Sequence, residues 1–142
     1  MKFVNTSNLK ASVLHEFFEE KWETFDNQQS LREYGYLVEH KGVYQAYFAL
    51  APVEEQAFWL KSLYIKEGVP SSFPLAIIEA SITLAKDNLG SYLYINSHQD
   101  ALSSLLSLMN FEKKQEPFFA EGLECKDGTW WKMDVTSIAQ TN

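Results

Sequence analysis

Cysteine, basic residues and long apolar runs are all scarce in this chain of 142 residues. Its single cysteine, Cys125, cannot form an internal disulfide, and its first residues lack the apolar segment of a secretory signal peptide. Apolar runs such as residues 47–51 are far shorter than the roughly 18 residues that a transmembrane helix requires. The sequence therefore predicts a cytoplasmic protein with no membrane span.

Positive charge is also in deficit, because 12 Lys and Arg stand against 19 Asp and Glu, which gives a formal net charge of −7. Proteins that bind nucleic acids carry clustered Lys and Arg, so we expect no nucleic-acid partner. The three histidines, His15, His40 and His98, fall in different predicted elements and lack the spacing of a zinc helix. We therefore expect no metal site.

What is present is an ordinary globular composition, with 46% hydrophobic, 15% aromatic and 22% charged residues. No stretch has the Pro, Gly or Ser content of a linker, and no segment repeats. The sequence predicts one domain over residues 1–142 that buries a core without needing a disulfide or a structural metal.

The first half of the chain predicts a helix followed by three antiparallel strands. Apolar residues at helical spacing over residues 9–25 indicate an amphipathic helix, with Ser7 or Asn8 as its N-cap. Lys41 and Gly42 separate two strand-like runs, which is typical of a β-hairpin. The predicted segments are a strand at 2–5, the helix at 9–25, a loop or short helical turn at 26–33, and strands at 34–40, 43–51 and 57–65.

The second half alternates helix and strand before two final strands. Pro74 suits the first turn of a helix that Gly90 is placed to end. Ser97 and Asp100 have the spacing of a capping box, and Asn110 suits a left-handed C-cap. The predicted segments are a helix at 74–89, a strand at 92–96, a helix ending near 109, and strands at 111–120 and 129–136 around the turn signal Lys126-Asp127-Gly128.

A strand, a helix and a parallel strand between residues 57 and 96 form one right-handed crossover in an otherwise antiparallel sheet, so the fold class is α+β, or mixed α/β. In this order the pieces resemble the GNAT acyltransferase superfamily. The residues that carry the resemblance are Leu60-Lys61-Ser62-Leu63-Tyr64-Ile65, Ile77-Ile78-Glu79-Ala80, Leu93-Tyr94-Ile95-Asn96, the helix from Ala101 to Met109-Asn110-Phe111, and Gly128-Thr129-Trp130-Trp131-Lys132-Met133.

The resemblance implies a mostly antiparallel, twisted sheet of about six to seven strands, with helices on both faces and the fourth and fifth strands splayed apart. In that family the splayed strands accept the pantetheine arm of acetyl-CoA, and the loop before the next helix wraps the pyrophosphate. An amine then attacks the thioester directly. The cofactor-binding positions implied here are Leu63, Tyr64, Ile65, Ser71, Ser72, Phe73, Leu75 and Asn96.

The sequence departs from the family pattern at two places. Residues 68–76 match neither the glycines nor the basic residue of the phosphate loop, and Pro70 and Pro74 each lack an N–H donor. The hydroxyls of Ser71 and Ser72 could replace some of these donors. On the later helix, Leu106 stands where the family usually has the tyrosine that protonates the leaving thiolate.

Three side chains are candidates for proton transfer. Glu54 and Glu55 lie in the loop before the third strand of the central run, where one could attract an amine or act as its base. Tyr94, or its neighbour Tyr92, could replace the missing tyrosine. The competing interpretation is that the acids are solvated loop charges and that Asn96 is a turn residue.

Two functions remain open. The first is an acetyl-CoA-dependent N-acetyltransferase that acts on a small or peptidic amine. The second is a non-catalytic protein of the same fold that has lost tight CoA binding and binds another ligand or a partner. Adjacent Trp130 and Trp131 on a terminal strand also indicate an edge at which a homodimer could form.

Overall fold

The computed structural model describes residues 1–120 and 128–136, so Cys125, Lys126 and Asp127 lie outside the described residues. The described part contains four α-helices and seven strands. In chain order they are β1 (Lys2–Asn5), α1 (Ala11–Phe18), α2 (Gln28–Glu33), β2 (Gly35–His40), β3 (Val43–Glu54), β4 (Ala57–Ile65), α3 (Phe73–Asp87), β5 (Tyr92–Ser97), α4 (Asp100–Leu108), β6 (Glu112–Lys114) and β7 (Thr129–Asp134).

The strands form one sheet in the order β1-β2-β3-β4-β5-β7-β6. β4 and β5 run parallel, joined through α3, whereas β1–β2, β2–β3, β5–β7 and β6–β7 are antiparallel. This arrangement confirms the predicted mixed α/β class and its single parallel crossover. None of the described helices combines the length and the apolar composition that a membrane crossing requires.

The chain forms two compact units, to which β3 and β4 each contribute a part. The first unit comprises Met1–Leu50 and Ser62–Pro70. The second comprises Ala51–Lys61 and the described residues from Ser71 onward. The prediction of a single domain stays a prediction.

The first unit packs α1 and α2 around an aromatic core. Glu19 has a φ of 56°, so α1 ends at Phe18 and residues Glu19–Thr24 form a 3-10 helix. The predicted helix over residues 9–25 is therefore wrong in its second half. The core explains the break, because the turn at Glu19 brings the rings of Trp22 and Phe25 to 6.2 and 4.9 Å from that of Phe18.

The start of α1 also differs from the prediction. Lys10 is the N-cap, and its side chain makes no capping hydrogen bond, so Ser7 and Asn8 do not cap this helix. Asn5 instead caps a short 3-10 helix, where its Oδ1 accepts a hydrogen bond from the Ser7 N–H. A short side chain that bonds to nearby backbone favours such a local turn over an α-helix.

In the second unit, α3 ends at Asp87, and Leu89 takes the left-handed conformation with a φ of 65°. The prediction that Gly90 ends this helix holds in part, because its N–H donates to the Ala85 carbonyl oxygen over 2.7 Å, but the left-handed residue is Leu89. A Cβ at Gly90 would lie 2.8 Å from both the Ala85 carbonyl oxygen and the ring of Phe58. The glycine therefore permits the close approach of the helix end to β4.

Two further predictions in this unit are wrong and one is confirmed. Gln99 is the N-cap of α4 without a side-chain bond, because the Ser97 hydroxyl instead donates to the Gln99 carbonyl and accepts from Ser103. The strand predicted at residues 111–120 is limited to Glu112–Lys114, since Pro117 lacks an N–H and starts the turn into a 3-10 helix at Phe118–Ala120. Asn110 does take the left-handed conformation, with a φ of 70°.

Candidate active site

Two of the predicted catalytic residues meet in the second unit. The Tyr94 hydroxyl, on β5, donates a hydrogen bond to Glu54 Oε2, at the end of β3, over 3.5 Å. Glu54 is exposed, so its carboxylate is accessible to a substrate. Glu55 lies next to it in an exposed turn that Gln56 closes with a φ of 62°. The structure therefore pairs an exposed carboxylate with a phenol.

The Tyr94 ring is held in an aromatic cluster on one face of the sheet. Tyr94 is only 5% exposed, and its ring lies 5.1 Å from that of Phe119, which in turn lies 5.7 Å from that of Trp59. The members of this cluster are Val53, Ala57, Trp59, Tyr94, Phe119, Ala120 and Trp130. Close packing fixes the direction of the Tyr94 hydroxyl.

Two lysines lie on the aromatic rings of this face. Lys132 Nζ is 4.1 Å from the centre of the Tyr92 ring and 5.3 Å from that of Tyr94, and Lys61 Nζ is 5.2 Å from the Trp59 ring. These are cation–π distances. Sequence reasoning missed these side chains, although alternation in Trp59-x-Lys61 and Trp130-x-Lys132 places each lysine on the face of its aromatic neighbour.

The proposed pantetheine strand is the second half of β4. The pairing of β4 with β5 covers residues 57–60 and ends with Leu60 opposite Ile95. Ser62 follows with a φ of 55°, a left-handed conformation that breaks the regular extended backbone. Leu63, Tyr64 and Ile65 are all partly buried.

The Tyr64 side chain belongs to the core of the first unit. Its ring lies 5.2 Å from Phe18 and 5.8 Å from Phe25, and burial raises the pKa of its phenol. Tyr64 can therefore offer a ligand only its backbone.

The start of α3 divides the predicted phosphate-loop residues into two groups. Ser71 and Ser72 are exposed, and Ser72 is the N-cap, with no side-chain capping bond. Leu75 is 37% exposed on the first turn, whereas Phe73 is fully buried. The dipole at a helix start favours an anion.

Asn96 lies on β5 opposite Trp130 of β7. Its Oδ1 faces the backbone of Gly128, where an added Cβ would lie 2.3 Å away. Only glycine at position 128 allows Asn96 to approach the backbone this closely, although the two residues are far apart in sequence. Among the described residues, no group of three or more His, Cys, Asp or Glu side chains could hold a metal ion.

No protein-family model and no curated protein sequence matches this chain. Solved structures do. A Mycobacterium tuberculosis protein in complex with CoA matches with a TM-score of 0.70 and 10% identity, over 94% of this chain and 99% of that one.

Two acetyltransferases match in the same way. The Campylobacter jejuni N-acetyltransferase PseH, in complex with acetyl coenzyme A, matches with a TM-score of 0.63 and 12% identity, over 94% and 97% of the two chains. A GNAT family acetyltransferase from Elizabethkingia anophelis with acetyl-CoA bound matches with a TM-score of 0.59 and 16% identity, over 70% of this chain and 74% of that one. The strand order and these matches show that the chain has the fold of the GNAT acetyltransferases.

Proposed function

We propose that this protein is an acetyl-CoA-dependent N-acetyltransferase. The observation that carries the proposal is the hydrogen bond between Tyr94 and Glu54, which places a proton donor beside an accessible carboxylate on a GNAT fold. The solved structures of similar fold support the choice of co-substrate, because several of them hold CoA or acetyl-CoA.

In this proposal the co-substrate binds mainly to backbone groups. Leu63, Tyr64 and Ile65 hydrogen-bond the pantetheine arm along the strand, and Asn96 orients it. The N–H groups of Ser71 and Ser72 before α3 bind the pyrophosphate, with Leu75 as an apolar contact on the first turn and the buried Phe73 fixing that turn in place. Backbone recognition needs few particular side chains, so a loop without the family's glycines is compatible with this mode of binding.

The proposed chemistry is direct aminolysis of the thioester. The amine nitrogen forms a bond to the acetyl carbon, the carbon–sulfur bond breaks, and the amine proton passes to Glu54. Tyr94 gives its proton to the leaving thiolate and regains one from Glu54 across their hydrogen bond. The products are the N-acetylated amine and CoA, and the enzyme returns to its initial protonation state.

The acceptor in this proposal is a small or peptidic amine that is cationic before it reacts. Glu54 and Glu55 are adjacent, exposed carboxylates, and the chain carries a net charge of −7. Both features attract an ammonium group. This group first releases one proton to water, which gives the neutral nucleophile, and the proton lost during attack is the one that passes to Glu54.

A second candidate function is ligand or partner binding without catalysis. Leu106, at the position of the family's tyrosine, is fully buried, so this helix supplies no proton donor there. Residues 68–76 also lack the family's glycines and basic residue, so in this second candidate the same fold binds CoA weakly or not at all.

Calorimetric titration with acetyl-CoA and CoA separates the two candidates. The test variant is Ser72→Glu, which places a negative charge at the start of α3, where it would repel pyrophosphate. The matched control is Ser104→Glu, at an exposed position within α4. We expect the wild type and Ser104→Glu to bind acetyl-CoA with micromolar affinity, and Ser72→Glu to lose this binding. We also expect the wild type to release free CoA thiol from acetyl-CoA when one of a panel of amines is added. No binding at millimolar acetyl-CoA would reject the enzyme and favour the second candidate.

A further inference from the structure

A groove of about 350 Å³ lies in the first unit, between the β2–β3 hairpin and the segment that follows β4. Its lining residues are His40, Lys41, Val43, Gln45, Gly68, Val69 and Pro70. A volume of this size is at the lower end of the range of small-molecule sites.

The charge of the groove is opposite to that of the protein. Lys41 supplies a positive charge and His40 an imidazole, and the described lining residues include no carboxylate, although the chain as a whole carries a net charge of −7. Two acids adjoin these residues in sequence: Glu39, whose Oε2 is 4.0 Å from the Lys2 Nζ, and Glu67, which is exposed. A local cationic groove on an acidic protein favours an anionic ligand.

The donors in the groove suit phosphate. The Lys41 ammonium carries three N–H donors, and the His40 imidazole and the Gln45 amide add more. Gly68 has a φ of 85° and open space where a Cβ would lie, so a ligand can approach its backbone closely. Val43, Val69 and Pro70 supply apolar surface beside these donors, as a nucleoside attached to the phosphate requires.

Part of the groove adjoins the proposed phosphate loop in sequence. Gly68, Val69 and Pro70 directly precede Ser71 and Ser72 in sequence. Residues 68–76 contain no basic side chain. The adjoining hairpin has one at its tip, where Lys41 and Gly42 have φ values of 54° and 80°.

We infer that this groove binds a phosphoryl group of the adenosine end of CoA, and that Lys41 and His40 replace the basic residue missing from the loop after β4. The identity of the ligand rests on the proposed function. CoA carries phosphoryl groups at two positions, the 3′-phosphate and the pyrophosphate, and either could occupy the groove. Dephospho-CoA, which lacks the 3′-phosphate, distinguishes between them.

The test variant is Lys41→Asn. Asn followed by Gly is the favoured pair for a two-residue hairpin turn, and Asn tolerates the left-handed conformation of position 41, so this change removes the charge while keeping the turn. Lys10→Gln is the control, because Lys10 is an exposed lysine in the same unit and is not among the lining residues. Thermal unfolding of both variants checks that each is folded.

Calorimetry with adenosine 3′,5′-bisphosphate, acetyl-CoA and dephospho-CoA then measures affinity. We expect Lys41→Asn to bind adenosine 3′,5′-bisphosphate and acetyl-CoA roughly tenfold more weakly than the wild type, the loss of one charge-assisted contact, while Lys10→Gln binds normally. If the 3′-phosphate occupies the groove, the wild type and Lys41→Asn should bind dephospho-CoA with the same low affinity. If the pyrophosphate occupies it, Lys41→Asn should bind dephospho-CoA more weakly than the wild type does.

Equal affinity of Lys41→Asn, Lys10→Gln and wild type for both nucleotides would overturn the inference, and so would the absence of any nucleotide binding. The proposed function fails separately. Binding of adenosine 3′,5′-bisphosphate that depends on Lys41, without acetyl transfer to any amine, would support the groove and reject the enzyme.

Discussion

The hydroxyl of Tyr47, at the centre of β3, donates a hydrogen bond of 2.6 Å to the carbonyl oxygen of Leu31 in α2. Tyr47 is fully buried, and the Thr6 hydroxyl lies 3.2 Å from the same oxygen, but the shorter contact of its single proton is with the Arg32 carbonyl. Carbonyls in the last turn of a helix lack partners within the helix. The tyrosine therefore serves two purposes, since its ring packs in the core of the first unit and its hydroxyl holds the end of a helix of only six residues.

Replacing Tyr47 with Phe should lower the free energy of unfolding by about 1–2 kcal/mol. The change keeps the ring but removes the closer donor from the buried Leu31 carbonyl, which the Thr6 hydroxyl can replace only by turning away from the Arg32 carbonyl. Urea denaturation followed by tryptophan fluorescence measures the difference. Tyr92→Phe is the control, because Tyr92 is 37% exposed and should change stability by less than about 0.5 kcal/mol. A Tyr47→Phe protein as stable as the wild type would contradict this account.

Stability should also fall in alkaline solution. Burial, reinforced by the neighbouring Tyr64, raises the pKa of Tyr47, and burial raises the pKa of Tyr64. In the unfolded chain both phenols ionise near the ordinary value of about 10, whereas the folded protein holds them neutral. Their contribution is therefore complete below pH 10 and is lost as the pH rises above it, because the unfolded state releases protons that the folded state keeps.

Denaturation series from pH 8 to pH 11 would measure this loss. The free energy of unfolding of the wild type should decline with a steeper slope than that of Tyr47→Phe, because the variant lacks one of the two buried phenols. Parallel declines in the two proteins would show that Tyr47 is not responsible for the alkaline sensitivity.

The sequence predicted the order of the strands and helices because each element has a clear local period, and it predicted the parallel crossover because a strand, a helix and a strand close in only one common way. It did not predict the break at Glu19. Helical spacing continues through Trp22 and Phe25, so only the three-dimensional core, in which both rings pack on Phe18, selects the break.

The candidate site was predictable in composition but not in geometry. Glu54 and Tyr94 are both candidates through the resemblance to the family, yet their contact depends on the strand order and on the register that places Tyr94 opposite Trp59. The Lys61 and Lys132 side chains depend on that register as well. The buried state of Phe73 depends on how α3 packs, which helical spacing alone does not determine.

The end of α3 offers a stabilising change. Leu89 has a φ of 65°, which costs a residue with a Cβ about 1 kcal/mol, and its side chain is 85% exposed, so it contributes little packing. Leu89→Gly should therefore raise the free energy of unfolding by about 0.5–1 kcal/mol, measured in urea.

The neighbouring position supplies the opposite control. Gly90→Ala would place a Cβ 2.8 Å from the Ala85 carbonyl oxygen and the Phe58 ring, so it should destabilise the protein by about 1–3 kcal/mol. If Leu89→Gly and Gly90→Ala both lowered the free energy of unfolding, the Leu89 side chain would have to stabilise the fold by more than its left-handed backbone costs.

The proton relay predicts a particular pattern of kinetics. Tyr94→Phe removes the proposed donor to the thiolate, and Glu54→Gln removes the proposed base, so each should lower kcat about 10²-fold or more. The KM for acetyl-CoA should change much less, since both groups act on the proton and not on binding. Because one hydrogen bond joins the two residues, the double variant should be little slower than either single variant, in the manner of groups that act as a unit.

Glu55→Gln is the matched control for this cycle. Glu55 is an adjacent, exposed carboxylate, but Glu54 is the one that accepts the Tyr94 hydrogen bond. The Glu55→Gln variant should therefore keep most of its kcat and lose only part of its attraction for a cationic amine, seen as a higher KM for the acceptor. Equal losses of kcat in Glu54→Gln and Glu55→Gln would show that both acids only attract the cationic amine and that Glu54 is not the base. A Tyr94→Phe protein with normal kcat would remove the phenol from the reaction and leave water as the proton donor.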